Sequence, residues 1–291
     1  MKHTLKTFLL AFVAMMVPIV GWGQTNHFTS TPENSCGENL TWSLSDGELV
    51  IEGTGVMYDF EAGTAPWYSH KDEIVKLTIK SGVTSVGHYA FYECDKIADV
   101  VISNGVTTLG TNSFGRCSGL TVVSLPPSVQ TIGWSAFDGC VNLETVNLSE
   151  GVSRIGEYAF ARCSKLSIIN IPEGVTDIAQ HAFDGCRFDN LILPSTLTAI
   201  QGRAFSAVHK ITTLTCLAET PPALWDKALY MQESMTIYVP SGSVDAYKSK
   251  EQWNAFTILP ICSSESDHNF VNGICTKCGA YEPAVDSNSD G

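Results

Sequence analysis

Apolar side chains recur along this chain at offsets of three and two residues, and the whole pattern returns about every 23 residues. In the copy Leu120, Val123 and Leu125, the last two residues are two positions apart, which predicts a strand with alternating faces. Equivalent triplets begin at Ile74, Ile97, Leu143, Leu166, Phe188 and Ile211. Glycine or proline follows most copies, as at Gly105 and Pro126, and predicts a tight corner after the strand.

A second set of positions keeps the same period beyond each predicted corner. Consecutive copies read IGWSAFDGC at 132–140 and IGEYAFARC at 155–163, with an aliphatic residue, a phenylalanine and a cysteine at fixed places. The phenylalanines are Phe91, Phe114, Phe137, Phe160 and Phe183, with Phe205 one residue early, and the ladder cysteines are Cys94, Cys117, Cys140, Cys163 and Cys186. Each period therefore predicts one strand, one corner and one short return segment.

A unit of about 23 residues cannot bury its own apolar stripe, so only stacking of neighbouring units produces a continuous core. The sequence therefore predicts a solenoid. The period lies within the 20–29 residues of leucine-rich repeats, and the spacing L-x-x-L-x-L matches the strand of that repeat. The chain departs from the common form in one respect, because turn residues follow the strand and the ladder cysteine precedes it by three residues.

The copies I-G-x-x-A-F-x-x-C followed by L-x-x-V-x-L-P resemble the BspA-like family of bacterial leucine-rich repeat proteins. The resemblance covers about residues 36–261, including the entry segment CGENLTWSLSDGELVIEGTGVMYDF and the exit segment TIYVPSGSVDAYKSKEQWNAF. It implies a secreted or cell-surface protein of a host-associated bacterium, which binds host matrix proteins or other cells. The spacing of the repeats does not itself indicate binding.

The expected fold is a leucine-rich repeat solenoid, mostly β with short turns and 3-10 or helical segments, closed by an N-terminal β-hairpin cap and a C-terminal α+β cap. Leu40, Trp42 and Leu44 alternate before an Asp46-Gly47 turn, which predicts the hairpin. The predicted boundaries are a signal peptide at 1–23, a linker at 24–35, the caps at 36–73 and 217–261, the repeats at 74–216 and a Cys/His tail at 262–291.

The signal peptide is predicted from Lys2 and Lys6, which precede an apolar run at 8–17 that is too short for a membrane span. The mature chain is expected to begin at Gln24 and to be secreted or displayed on the outer cell surface. No second apolar run suggests a membrane span. Because 30 acidic side chains outnumber 17 basic ones, without a basic cluster, nucleic acid is not an expected partner.

The ten cysteines leave two alternatives open. An even number in an oxidising compartment suggests disulfides, and neighbouring units about 5 Å apart are within bridging distance. Val208 takes the place of the ladder cysteine in the last repeat, however, which favours buried, reduced thiols that act as small apolar side chains. Cys36 and Cys216 have no partner that the spacing identifies.

The tail contains a second group of cysteines. Cys262, His268, Cys275 and Cys278 lie within 17 residues and end in a C-x-x-C-G turn, the ligand types and spacing of a structural Cys3His zinc site. The alternatives are a redox-labile Cys275–Cys278 pair or a disulfide from Cys262. No cofactor for catalysis is expected, because no nucleophile or acid–base motif is present. His88 and His181 lie at variable positions and are expected to be exposed surface residues.

The outward positions of consecutive strands provide the candidate binding surface. They are Lys76, Thr78, Asp99, Val101, Val122, Ser124, Thr145, Asn147, Ile168, Asn170, Asn190 and Ile192, followed by Thr213 and Thr215. Strand propensity alone also explains such a mixture. The expected function is non-catalytic recognition, through adhesion to a host matrix or bacterial surface protein. A glycan-binding accessory protein is an alternative that needs aromatic platforms, and a secreted hydrolase is a less favoured one.

Overall fold

The computed structural model describes residues 33–208, 211–229, 235–261, 270–271 and 274–275. The repeats form consecutive coils of a β-solenoid, and each coil contributes two short parallel strands. The predicted fold class is confirmed.

The strand predicted in each period is present and forms the first strand of its coil. Equivalent residues of neighbouring coils pair in parallel, so Thr145 pairs with Val122 on one side and Ile168 on the other. The first strands are β4 (Lys76–Ile79), β6 (Asp99–Ile102), β8 (Val122–Ser124), β10 (Thr145–Asn147), β12 (Ile168–Ile169), β14 (Asn190–Leu193), β16 (Thr213–Cys216) and β18 (Thr236–Val239). Among the described residues, this pairing is interrupted between β6 and β8 and between β12 and β14.

The return segment of each coil is also a strand. These second strands are β5 (Val83–Val86), β7 (Thr108–Leu109), β9 (Thr131–Ile132), β11 (Arg154–Ile155), β13 (Asp177–Ile178), β15 (Ala199–Ile200) and β17 (Ala223–Leu224). They pair in parallel without interruption from β5 to β17. Stacking brings their backbone groups to hydrogen-bonding distance of the next coil, so even two residues suffice to extend the sheet.

The N-terminal cap is the predicted hairpin. It comprises β1 (Ser35–Gly37), β2 (Asn39–Ser45) and β3 (Glu48–Val56), of which β2 and β3 are antiparallel. Asp46 and Gly47 have φ angles of 50° and 78°, the left-handed conformation that a tight two-residue hairpin turn requires. β3 then pairs with both β4 and β5, so the hairpin covers the open edges of the first coil.

The C-terminal cap combines β18 with a further parallel strand, β19 (Thr257–Pro260), and a short helix, α1 (Val244–Ser249). Two 3-10 turns at Ser241–Ser243 and Trp253–Ala255 flank the helix, as predicted, and another lies at Tyr68–His70. Tyr247 and Trp253 are fully buried, and their rings meet edge to face at 5.0 Å. Beyond the cap, β20 (Phe270–Val271) pairs antiparallel with β21 (Ile274–Cys275).

A column of aromatic rings lies inside the coils. Phe137 stacks on Phe114 at a centroid distance of 5.2 Å and on Phe160 at 5.3 Å, with interplanar angles of 6° and 2°. The column continues through Phe183 to Phe205 and is fully buried, as are the aliphatic residues of the second strands from β5 to β13. At the entry end, Trp67 stacks on Phe91 at 5.3 Å and so begins the column.

Candidate interaction surface

The twelve outward residues predicted on the first strands lie in two neighbouring rows. One row follows the positions of Thr145 and Ile168, and the other follows those of Asn147 and Asn170. All twelve are partly or fully exposed. Thr213 is half-buried, but the expectation that Thr215 faces solvent is wrong, because only 7% of it is exposed. The exposed part of the second row therefore does not continue onto β16.

The entry end of this surface carries paired charges. The Glu48 carboxylate accepts a hydrogen bond from Thr78 Oγ1 at 2.7 Å and lies 3.2 Å from Lys76 Nζ. The Thr78 hydroxyl, followed by Lys76, lowers the pKa of Glu48 below its usual value. Lys80 Nζ lies 2.7 Å from Glu52 Oε2 in the same way. Each of these ion pairs compensates its own charges, and among the outward residues Asp99 adds one exposed carboxylate at this end.

Beyond Asp99, the outward positions carry no charged residue, and four of them are exposed aliphatic side chains. Val101, Val122, Ile168 and Ile192 are 44%, 49%, 61% and 40% exposed. The asparagines on this surface form hydrogen bonds between neighbouring coils, and Asn147 Nδ2 donates to Ser124 Oγ at 3.0 Å. The Asn170 amide accepts from the Leu148 N–H at 2.9 Å and donates to the Leu148 carbonyl oxygen at 2.7 Å. Much of the polar capacity of this region is therefore already satisfied within the fold.

Exposed aromatic residues lie elsewhere, in the turns that follow the second strands. The Trp134 side chain is 53% exposed, and Thr111 and Glu157 occupy the same position in the coils before and after it. Tyr89 and Tyr92 meet edge to face at 5.5 Å, and the Arg116 guanidinium lies 5.5 Å from the Tyr92 ring centroid. These residues occupy variable positions of the repeat, so the repeat pattern does not single them out.

His181 is less exposed than expected, since only 12% of its side chain is accessible. Its ring stacks on Tyr158 at 4.6 Å, and its Nδ1 lies 3.1 Å from Asp184 Oδ2. His88 is exposed, as predicted. Among the residues that the structure describes, no serine, threonine or cysteine hydrogen bonds to a histidine ring, so a histidine-activated nucleophile is not formed there.

The ladder cysteines are buried free thiols, and so are Cys36 and Cys216. Four of them donate a hydrogen bond to the carbonyl oxygen of a phenylalanine in the preceding coil, as Cys117 does to Phe91 at 3.0 Å. Burial raises the pKa of Cys94 to about 12 and raises those of Cys163 and Cys186 well above the usual value. Of the two alternatives that the sequence leaves open, the geometry favours reduced thiols.

The predicted zinc ligands Cys262, His268 and Cys278 lie outside the described residues, and of Cys275 only the backbone, at the end of β21, is described. Within the described ranges, no three Cys, His, Asp or Glu side chains are grouped so that they could hold a metal ion. A structural zinc ion in the tail stays a prediction. The signal-peptide residues likewise lie outside, and no described helix has the length and hydrophobicity needed to cross a bilayer.

Stacked parallel coils with a buried phenylalanine column and repeated L-x-x-V-x-L strands define the chain as a leucine-rich repeat β-solenoid of about eight turns. A family model described as a BspA type leucine rich repeat region matches six copies, over residues 67–167 and 132–241, which is more than half of the chain. The chain belongs to the BspA-type leucine-rich repeat family. Its resemblance to that family is thereby confirmed.

Several solved structures are similar to this chain. The T. pallidum leucine-rich repeat protein TpLRR is 18% identical, with 75% of this chain and 97% of that chain covered and a TM-score of 0.46. A leucine-rich repeat protein from Bacteroides ovatus is 15% identical, with 77% of this chain and 76% of that chain covered and a TM-score of 0.40. A leucine rich cell surface protein from Faecalibacterium prausnitzii is 17% identical, with 82% of this chain and 97% of that chain covered and a TM-score of 0.29. No curated protein matches the sequence significantly.

Proposed function

We propose that this chain is a secreted or surface-exposed, non-catalytic recognition protein, which adheres to a host matrix or bacterial surface protein through the outward face of its first strands. The observation that carries this proposal is the uncharged region from Val101 to Ile192, where four aliphatic side chains are 40% to 61% exposed on four of five consecutive coils. Exposed apolar residues at the centre and charged residues at the edge are the arrangement found at protein–protein interfaces. Membership of a repeat family that builds extended surfaces supports the same function.

Surface plasmon resonance against immobilised matrix proteins and whole bacterial cells tests the proposal. The unmodified protein is expected to bind at least one of them saturably at micromolar concentration. The double variant Val101→Asp and Val122→Asp is expected to weaken that binding at least tenfold, because it introduces two charges into the contact. Val141→Asp is the matched control, since Val141 is equally exposed and lies outside both rows. Equal loss in the control, or no saturable binding to any surface, contradicts the proposal.

A glycan-binding function is a second candidate, and Trp134 is the observation that favours it. Its exposed ring stands beside a hydroxyl and a carboxylate at equivalent positions of the adjoining coils, the residue types that stack on and hydrogen bond to sugars. A glycan array separates the two candidates. If glycans are the ligand, Trp134→Ala abolishes array binding, whereas the Val101 and Val122 substitutions leave it unchanged.

A further inference from the structure

The first-strand sheet is open between β12 and β14. β12 pairs with β10 and β14 pairs with β16, but no backbone ladder joins β12 to β14. The same two coils stay joined on their other side, where Asp177 of β13 pairs with Ala199 of β15. The coils therefore remain paired through the second strands, while no ladder joins their first strands.

The sequence at this opening differs from that at the interruption between β6 and β8, where the ordinary three-residue spacing is kept. Cys163 and Leu166 are three residues apart, whereas Cys186 and the equivalent Phe188 are only two apart. The Phe188 ring also replaces a smaller leucine and packs edge to face on Phe183 at 5.8 Å. One backbone hydrogen bond reaches across, from the Arg187 N–H to the Leu166 carbonyl oxygen at 2.9 Å, and the ladder then stops. Because the segment from Cys186 to Phe188 is one residue shorter and the Phe188 side chain is larger than leucine, the apolar residues stay inside but β14 does not meet β12 in register.

The opening forms a groove of about 420 Å³ between β12 with its flanking residues and Asn190 and Ile192 of β14. Ile168 and Ile192, which are 61% and 40% exposed, line it on either side. The side chains that line the groove are serine, isoleucine and asparagine, without a charged group. In a continuous sheet, backbone N–H and C=O groups would form a hydrogen-bond ladder between β12 and β14. That ladder is absent here, so the facing sides of the two strands resemble the edge strand of a sheet.

We propose that this groove docks an extended, uncharged peptide segment of a partner protein, which adds as a short strand along the free edge. The proposal rests on the proposed function and specifies its partner. A strand residue occupies roughly 160 Å³, from a rise of 3.3 Å, a strand spacing of 4.8 Å and a sheet spacing of 10 Å, so the groove takes two to three residues. The hydrogen-bonding groups available along this edge belong to the backbone, so they favour an extended peptide. The side chains of Ile168 and Ile192 favour aliphatic or β-branched residues in that peptide.

The test uses a fluorescein-labelled synthetic peptide that copies residues 145–149 of this chain, which are uncharged, because their strand already pairs with the other edge of β12. Fluorescence anisotropy with the full mature chain is expected to show saturable binding that changes little with salt, since the groove carries no charge. The same peptide with alternate amides N-methylated keeps its side chains but cannot form the ladder, and it is expected not to bind. Equal binding of the methylated peptide overturns strand addition.

Inserting one serine between Cys186 and Arg187 restores the three-residue spacing between the cysteine and the first apolar residue of the strand, as in Cys163 and Leu166 of the preceding coil. This variant is expected to close the opening, so that the amides of Asn190 and Ile192 gain hydrogen-exchange protection and peptide affinity falls at least tenfold. Because an insertion can impair folding, Ile168→Asp with Ile192→Asp is a second variant with the same expected loss. Val141→Asp is the control, since Val141 is exposed and lies outside both outward rows.

The proposal is overturned if the unmodified chain shows no saturable peptide binding, or if binding is undiminished in the insertion variant. It is also overturned if the chain dimerises with increasing concentration and the insertion abolishes the dimer, because the occupant of the groove is then a second copy of this chain. The proposed function fails separately. If the chain binds the peptide saturably but binds neither matrix proteins nor cells, the proposed adhesion partner is wrong and peptide binding in the groove still holds. Binding to those surfaces that the insertion leaves unchanged keeps the proposed function and overturns the groove.

Discussion

The indole Nε1–H of Trp67 donates a hydrogen bond of 2.8 Å to the carbonyl oxygen of Ala90. In later coils the equivalent alanine carbonyl accepts the backbone N–H of a phenylalanine from the coil before, as Ala136 accepts from Phe114 and Ala159 from Phe137, both at 2.8 Å. The first coil has no phenylalanine before it. The tryptophan side chain therefore supplies the missing donor and also provides the first ring of the aromatic column.

Trp67→Phe is expected to lower the free energy of unfolding by about 1 to 3 kcal/mol, because it leaves the Ala90 carbonyl without this donor. The replacement ring can still stack on Phe91. Chemical denaturation followed by far-ultraviolet circular dichroism measures the change. Trp134→Phe is the control, since Trp134 is exposed and its substitution is expected to change stability by less than about 0.5 kcal/mol. Equal effects at the two sites contradict a capping role for the Trp67 indole.

Cys140 tests what the ladder thiols contribute. Its thiol donates to the Phe114 carbonyl oxygen at 3.1 Å, but that oxygen also accepts the Cys117 N–H at 3.2 Å. Loss of the weak thiol donor therefore leaves no buried acceptor unpaired. Cys140→Val is expected to cost less than about 1 kcal/mol and Cys140→Ser about 1 to 2 kcal/mol, because the site is apolar and fully buried. Thermal denaturation of both variants measures this, and a serine that is tolerated better than valine contradicts it.

The buried thiols also predict a loss of stability at alkaline pH. The pKa of Cys94 is raised to about 12 in the folded chain, whereas an unfolded thiol ionises near ~8.5. The unfolded state therefore releases its proton first, so this contribution is complete below the unfolded pKa and is lost as pH rises towards 12. The expected slope is about 1.4 kcal/mol per pH unit for the thiol.

Urea denaturation of the unmodified chain and Cys94→Val at pH 7 to 11 measures this slope. The valine variant is expected to lose less stability above pH 9, and the difference between the two chains is expected to approach the value for one proton. Val106→Ala is the control, because it weakens the buried core without removing a titrating group. If the free energy of unfolding falls equally with pH in the unmodified chain and in Cys94→Val, the Cys94 thiol does not contribute to the loss of stability at alkaline pH.

The sequence predicted the repeat because burial imposes a strict period on Phe, Cys and aliphatic residues, and all of these lie inside. It did not predict the second sheet, since pairs such as Thr108–Leu109 are too short to show alternation. Nor did it predict the role of Trp67, whose spacing of 24 residues from Phe91 falls outside the 23-residue register. Both depend on contacts between coils, which a pattern within one coil does not contain.

The candidate surface was predicted in part. Alternation along the first strands identified the outward rows, and exposure at Ile168 and Ile192 agrees with it. The opening between β12 and β14 was visible in the sequence only as one residue missing before Phe188, and its consequence depends on where β14 then meets its neighbour. The exposed ring of Trp134 lies at a variable position, where periodicity carries no information.

Ser113 is buried with a hydroxyl that finds no hydrogen-bond partner among the described residues. The equivalent position is alanine in the neighbouring coils, at Ala90 and Ala136. Ser113→Ala is therefore expected to stabilise the chain by about 1 kcal/mol, a rise in melting temperature of roughly 2 to 4 °C. Differential scanning calorimetry measures the shift. The reverse substitution Ala136→Ser is expected to lower it by a similar amount, and a loss of stability in Ser113→Ala contradicts the reasoning.

Ala207 has a φ angle of 49°, the left-handed conformation, at a position where two earlier coils have Gly139 and Gly185, with φ angles of 74° and 77°, and three have Glu93, Arg116 and Arg162. A side chain in this conformation costs about 1 to 2 kcal/mol, and glycine loses about 0.5 to 1 kcal/mol more conformational entropy on folding. Ala207→Gly is therefore expected to raise the free energy of unfolding by about 0.5 to 1 kcal/mol, as measured by urea denaturation. Ala246→Gly, at an exposed site within α1, is expected to lower it by a similar amount, because a helix disfavours glycine. If both substitutions destabilise equally, the turn conformation at Ala207 is not strained.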